Sequence, residues 1–257
     1  MITFNKLFKV SGADFTALKY KYCDTCTKCG GTRLISVDDD NYKGDKNCTC
    51  VLEFQTAFRA VSSNIPPIYR RLTVDNINEE FSKNNAEGMA KALKYYTRLS
   101  KAHLTGVGMF LNGDNGSGKS FIAALILKKA LSEGYSAYFT QLGDLTAAAF
   151  DALRDEDARE DLETLITQVD FLVVDEFDKI YQDKNDFVIN LLEGLFKKRY
   201  YSNKPLIVTS NTPFDAIVET HGNGIASMCT EKLIKVSFVG NYRAYQGEKL
   251  EDEFFNG

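Results

Sequence analysis

Apolar residues in this chain come in blocks whose length and spacing change along the sequence. GVGMFL (106–111), SAYFTQ (136–141), FLVVDEF (171–177), PLIVTSN (205–211) and VSFVG (236–240) are short and largely apolar. Such blocks predict strands buried on both faces. Longer segments of helical character separate them. SFIAALILKKALSEGY (120–135) has Gly134 as its stop, and LTAAAFDALRDEDAREDLETLITQ (145–168) is interrupted near its charged middle. DFVINLLEGLFKKRYY (186–201), PFDAIVETHG (213–222) and one further short helix complete the set. This alternation predicts an α/β fold over residues 105–257, with a central parallel sheet covered on both faces. Upstream, residues 86–104 predict a helix with Met89, Leu93, Tyr96 and Leu99 near one face. Within a connector at 61–104, Pro66-Pro67 stiffens the chain and the polar run NINEEFSKNN reads as loop. Residues 1–60 form a separate small module, and the acidic tail EKLEDEFFNG reads as frayed.

One junction carries chemistry. NGDNGSGKS (112–120) joins the first of these strands to the following helix and fits G-x-x-x-x-G-K-S through Gly113, Gly118, Lys119 and Ser120. In that setting backbone N–H groups line an anion nest, and the helix N-terminus adds partial positive charge. Gly113, Asp114, Asn115, Gly116, Ser117, Gly118, Lys119, Ser120 and Phe121 are the expected contacts to ATP. Lys119 reaches the outer phosphates, and the Ser120 hydroxyl is an expected magnesium ligand. The strand FLVVDEF then brings Asp175 and Glu176 out at its C-terminal end. Asp175 is expected to hold Mg2+ and Glu176 to orient the attacking water. PLIVTSN ends on Asn211, whose amide can bond the γ-phosphate or that water. Asp178 reads as a solvated charge or a supporting group.

Composition narrows the partners. The chain has 257 residues, a soluble-protein balance of apolar and charged side chains, and no apolar run long enough to span a membrane. Its first residues, MITFNKLFKVSGADF, lack a signal-peptide core, which predicts a cytoplasmic location. Residues 1–104 hold 16 Lys+Arg against 11 Asp+Glu, a balance of +5; the remainder holds 15 against 24, or −9. Any nucleic-acid track on the acidic part must therefore be local. Five of six cysteines lie between 23 and 50. In a reducing compartment that clustering points to metal rather than disulfides. Cys26-x-x-Cys29-Gly30 makes the better knuckle, and Cys48-x-Cys50 supplies two more sulfurs. Cys26, Cys29, Cys48 and Cys50 are the expected Zn2+ ligands, with Cys23 as an alternate. Two basic–aromatic patches are candidate nucleic-acid contacts: Lys19, Tyr20, Lys21, Tyr22, Lys28 and Arg33 in the module, and KKRYY (197–201). A protein-docking face explains the first equally well, and helix-dipole compensation explains the second.

The order of glycine loop, DE strand and Asn211 strand resembles the AAA+ ATPases, with Asn211 at the sensor-1 position. SNIPPIYRRLTVDNI (63–77), FLVVDEFDK, FVINLLEGLFKKRYYSNKPLIVTSN (187–211) and HGNGIASM (221–228) narrow the resemblance. They are similar to the DnaC/DnaI-type bacterial replicative helicase loaders and the IstB-type transposition helpers, a group frequent in phages. The resemblance implies a three-layer AAA+ P-loop domain, ATP hydrolysis, single-stranded DNA binding and self-association. It also implies that residues 1–60 grip a replicative DNA helicase. Arg243 matches the family's C-terminal, sensor-2-like arginine. The arginine-finger position is here Met228, and a thioether cannot stabilise transition-state charge. A nearby cation such as Lys232 can substitute, a partner can supply the arginine, or ATP can serve chiefly as an assembly switch.

Overall fold

In the computed structural model, which describes residues 10–39, 42–178, 186–216 and 223–243, the chain divides into two units, Met1–Arg70 and Arg71–Gly257. The boundary falls inside the segment expected to be a connector. The first unit opens with helix α1 (Gly12–Lys19), capped by the Ser11 hydroxyl, and runs into a π-helical turn at Tyr20–Asp24. A hairpin follows, strand β1 (Leu34–Asp39) pairing antiparallel with β2 (Tyr42–Asn47). Helix α2 (Thr49–Ser62) packs on α1, where Phe15 meets Phe54 and Phe58 edge-on at 5.6 and 6.0 Å. A short helix, α3 (Pro67–Arg70), ends the unit. The hairpin and α2 lie in the module that the sequence reading left without elements.

The second unit begins with a 3-10 turn at Val74–Asn76 and helix α4 (Glu79–Asn84). The loop expected at NINEEFSKNN is thus corrected to a helix. Asn78 caps it by accepting the Phe81 N–H, and the buried Phe81 ring stacks 5.7 Å from Phe238. The helix expected over 86–104 is two, α5 (Ala86–Tyr96) and α6 (Leu99–Thr105). Strand β3 (Gly108–Gly113), helix α7 (Lys119–Ser132) and strand β4 (Ala137–Gln141) come next. Helices α8 (Leu142–Asp151) and α9 (Glu156–Thr167) flank the interruption expected at the charged middle. The chain continues through β5 (Phe171–Asp175), α10 (Asp186–Tyr201), β6 (Leu206–Ser210), α11 (Asn223–Lys232) and β7 (Leu233–Phe238). Of the helix expected at 213–222, residues 217–222 lie outside the described residues.

The sheet runs β4-β5-β6-β3-β7, with every neighbouring pair parallel. All residues of β5 and β6 are buried, as a doubly covered sheet requires. Ten of the fourteen α7 residues are buried as well, so this helix is apolar nearly all round and lies inside the unit. With its flanking helices the sheet has the AAA+ P-loop, three-layer α/β architecture expected. Because the strands are parallel, β3, β5 and β6 all finish at one edge. Strand β6 lies between the other two, and it brings their ends into one site.

Candidate nucleotide and metal sites

The glycine loop leaves β3 at Gly113 and enters α7 at Lys119. Its backbone favours glycine for steric reasons at several points. Gly113 has φ +149°, and a Cβ there would sit 2.0 Å from the Phe238 carbonyl oxygen. Gly118, at φ +83°, is the N-cap of α7 and lies against the Phe81 ring. Ser117 is fully buried, whereas Asp114 and Asn115 are exposed at the loop tip. Phe121 is buried on the first turn of α7, its ring parallel to that of Tyr242. The Tyr242 N–H donates to Gly116 O at 2.8 Å, so the chain after β7 closes over the loop. Arg243 follows directly, and a Cβ on Gly116 would lie 3.6 Å from its Cγ.

Lys119 is 7% exposed, and its Nζ donates to Gly113 O (2.7 Å), Asp114 O (2.8 Å) and Asn211 Oδ1 (3.0 Å). Burial lowers its pKa, opposed by the fields of Asp178, Asp175 and Asp114. Ser120 Oγ donates to Asp175 Oδ1 at 2.7 Å, joining the start of α7 to the end of β5. Burial pushes the Asp175 carboxyl up, and hydrogen bonds from Thr209 and Ser120 partly offset this. A hydroxyl and a carboxylate oxygen held together at the mouth of an anion nest are the donor types magnesium takes. Glu176 is half-buried and left-handed at φ +58°, an uncommon conformation for a residue with a side chain. Its N–H donates to Thr209 Oγ1 at 3.1 Å, and that hydroxyl in turn donates to Asp175.

The structure therefore brings Lys119, Ser120, Asp175, Glu176 and Asn211 to one edge of the sheet, with Arg243 beside the loop. One contributor, Thr209, escaped sequence reasoning, and Asp178, read as a solvated charge or a supporting group, takes the supporting part. Thr209, 1% exposed on β6, bonds both acidic positions at once. Asp178 accepts the Asn211 N–H on Oδ1 and Asn211 Nδ2 on Oδ2, each at 2.9 Å. The only sequence signal for Thr209 was its place two residues before Asn211.

Met228 and Lys232 lie elsewhere. With Gly106, Leu206 and Leu233 they line a small open pocket where β3, β6 and β7 begin, the edge opposite the glycine loop. Lys232 Nζ donates to Thr105 O at 2.8 Å. A strand's length of roughly 17–20 Å separates the two edges, so neither residue reaches Lys119 of its own chain. Within the KKRYY patch one residue is withdrawn from the surface. Arg199 is 2% exposed, and its guanidinium donates to the carbonyls of Ile166, Val169, Asp170 and Pro205. Burial lowers its pKa to about 9. Lys197 and Lys198 pair with Glu193 and Glu163. In the first patch, Lys19 and Arg33 both face Asp24, while Tyr20 stays exposed.

In the first unit, Cys26, Cys29, Cys48 and Cys50 place their sulfurs within 4.8 Å of one another. Cys26–Cys48 and Cys29–Cys50 measure 3.8 and 3.7 Å. A tetrahedron with Zn–S bonds of about 2.3 Å has edges of about 3.8 Å, so the four thiols fit zinc. Burial alone would raise the Cys29 pKa, yet N–H groups of Arg33 and Gly31 and the neighbouring thiols outweigh it, bringing it down to about 7. Cys23 lies outside the four, directing its thiol to Cys50 O at 3.9 Å.

Comparison with known proteins agrees with this architecture. A family model of IstB-like ATP binding proteins matches residues 79–236. YdaV of Escherichia coli K12, an uncharacterised protein, is 25% identical over 169 residues, 65% of each chain. The replicative helicase loader DnaC of the same strain is 24% identical over 165 residues, covering 63% of this chain and 64% of DnaC. Each match thus spans less than two thirds of the relative. The crystal structure of DnaI superposes with a TM-score of 0.54 at 17% identity, covering 67% of this chain and 94% of DnaI, a likeness of fold.

Proposed function

The chain belongs to the IstB-like ATP-binding proteins, and from that premise we propose that it is a magnesium-dependent ATPase that helps place a replicative DNA helicase on single-stranded DNA. The observation carrying the ATPase part is the meeting of Lys119, Ser120, Asp175, Glu176 and Asn211 at one sheet edge, with Ser120 and Asp175 joined at 2.7 Å. Backbone N–H groups of residues 113–118 and the α7 N-terminus receive the phosphates. Lys119 leaves its carbonyl partners to pair with the outer phosphates, and Phe121 and Arg243 flank the bound nucleotide. Ser120 and Asp175 would hold Mg2+, which supplies charge neutralisation on the phosphates when bound. Glu176 accepts a hydrogen bond from the attacking water and draws on its proton, while Asn211 orients the γ-phosphate end. Water activation, rather than transfer to an acceptor, is what a DE pair with an adjacent amide suits.

The loader role is supported by the DnaC relative, the DnaI-like fold and the separate cysteine unit, which we assign to gripping the helicase. Zinc on Cys26, Cys29, Cys48 and Cys50 would shape that unit. Calorimetry with Mg·ATP and a steady-state assay test the enzyme. Nucleotide binds, and Glu176→Gln lowers kcat by about a hundredfold or more. Capture of a replicative helicase by intact protein, lost when residues 1–60 are removed, tests the partner. A transposition helper is the second reading, favoured by the family match. Tighter binding to duplex than to single-stranded DNA at fixed salt selects it. Met228 at the finger position supports a third, a nucleotide-gated interaction protein, which negligible turnover with DNA and helicase present would favour.

A further inference from the structure

We propose that Asp178 is a positioning residue that sets the orientation of the Asn211 amide and, through it, the placement of the Lys119 ammonium at the γ-phosphate end of the site. The proposal rests on the nucleotide-site reading above. Asp178 lies just beyond β5, and Asn211 just beyond β6. The carboxylate takes two N–H donors from one residue: the Asn211 backbone on Oδ1 and the side-chain Nδ2 on Oδ2, both at 2.9 Å. Both are charge-assisted bonds, stronger than those between neutral partners. With Nδ2 committed to a carboxylate, Asn211 Oδ1 faces the Lys119 Nζ at 3.0 Å. The reverse orientation would set NH2 against an ammonium and an amide oxygen against a carboxylate, two repulsive pairs in place of two attractive ones.

The consequence is a chain of orientation running from Asp178 through Asn211 to Lys119. Asparagine alone is a rotor with two near-equivalent ends; the carboxylate makes it a one-way acceptor toward the lysine. Asp178 needs no contact with nucleotide for this. Glu176, two residues earlier, is tied instead through its N–H to Thr209. Of the two acidic positions after Asp175, Glu176 is thus tied through its backbone and Asp178 through its carboxylate.

A double-mutant cycle on the full chain tests the proposal, with equilibrium binding of Mg·ATP and of ADP as readouts and thermal unfolding as the check on folding. Asp178→Ala and Asn211→Ala each weaken Mg·ATP binding about tenfold, the size of one lost charged hydrogen bond, and leave ADP within about twofold. The double variant binds as either single variant does, because Asp178 acts only through Asn211. If the two losses multiply, or if Asp178→Ala lowers the unfolding midpoint while ATP and ADP binding stay unchanged, Asp178 has no positioning role. Wild-type protein that binds neither nucleotide overturns the site reading and this proposal with it. Wild-type binding with independent losses overturns this proposal alone.

Discussion

The two units of this chain are held together by different physics. Among the described residues of the first unit, the buried apolar side chains are Ala60 and Ile65 near its end and a cluster of Cys23, Cys48 and Cys50. Packed against that cluster are Cys26 and Cys29, with Ile35, Val51 and Phe54. That is far too little apolar surface to offset the entropy of ordering so many residues. The second unit buries whole strands, such as Leu172, Val173 and Val174 beside Ile207 and Val208, over the buried face of α7. One unit is organised around a cluster of four sulfurs, and the other around contiguous area. A small unit can be shaped by four sulfurs, whereas a site needing four elements in register requires a sheet.

The largest expected effect breaks the first side of this contrast. Removing zinc with a strong chelator, or Cys48→Ser, unfolds the first unit and leaves the second unit's calorimetric transition in place. Structural zinc contributes on the order of 10 kcal/mol to such folds. Elemental analysis should find about one zinc per chain, and a chelator without effect on either transition would refute the contrast.

Next in size is a polar seam in the second unit. Burial would raise the Asp170 pKa, but Lys204 Nζ (2.6 Å), the Ser136 N–H and hydroxyl, and His103 outweigh it and hold it at about 2. A depressed carboxyl stabilises above its unfolded value, near 3.9, and that contribution is lost as pH falls toward 2. Asp170→Asn is expected to cost about 2 kcal/mol at pH 7. Denaturation at a series of pH values would show the deficit shrinking below about pH 4.

The smallest effect has the opposite sign. Burial raises the Asp175 pKa, so its ionised form opposes folding at neutral pH. Asp175→Asn should keep an acceptor for Ser120 and Thr209, gain up to about 1 kcal/mol at pH 7, and lose Mg·ATP binding. The gain fades as pH falls through the raised value, because the wild-type carboxyl then takes up its proton. A destabilised variant would mean that the site carries no such cost.

Much of this was legible in the residues. The loop NGDNGSGKS, the pair Asp175-Glu176 and the knuckle Cys26-x-x-Cys29 carry their chemistry within a few neighbouring positions. Helix α4 was not legible, because Phe81 earns its place only by stacking on Phe238, far along the chain. Arg199 was misread for the same reason: the carbonyls that enclose it come from residues 166, 169, 170 and 205. Thr209 looks like an ordinary strand residue, and the choice between solvated charge and supporting group at Asp178 stays open, until β5 and β6 are set side by side.

The sequence by itself determined the alternating strands and helices of the sheet and the spacing of the glycine loop, the DE pair and the four clustered cysteines, since these depend on local spacing and side-chain type. Only the tertiary structure decided that β6 lies between β3 and β5. That order makes Asn211 the link between Lys119 and Asp178, and Thr209 the link between Asp175 and Glu176. Hydrogen bonds reach about 3 Å, so such links exist only after packing has closed the distance between strands.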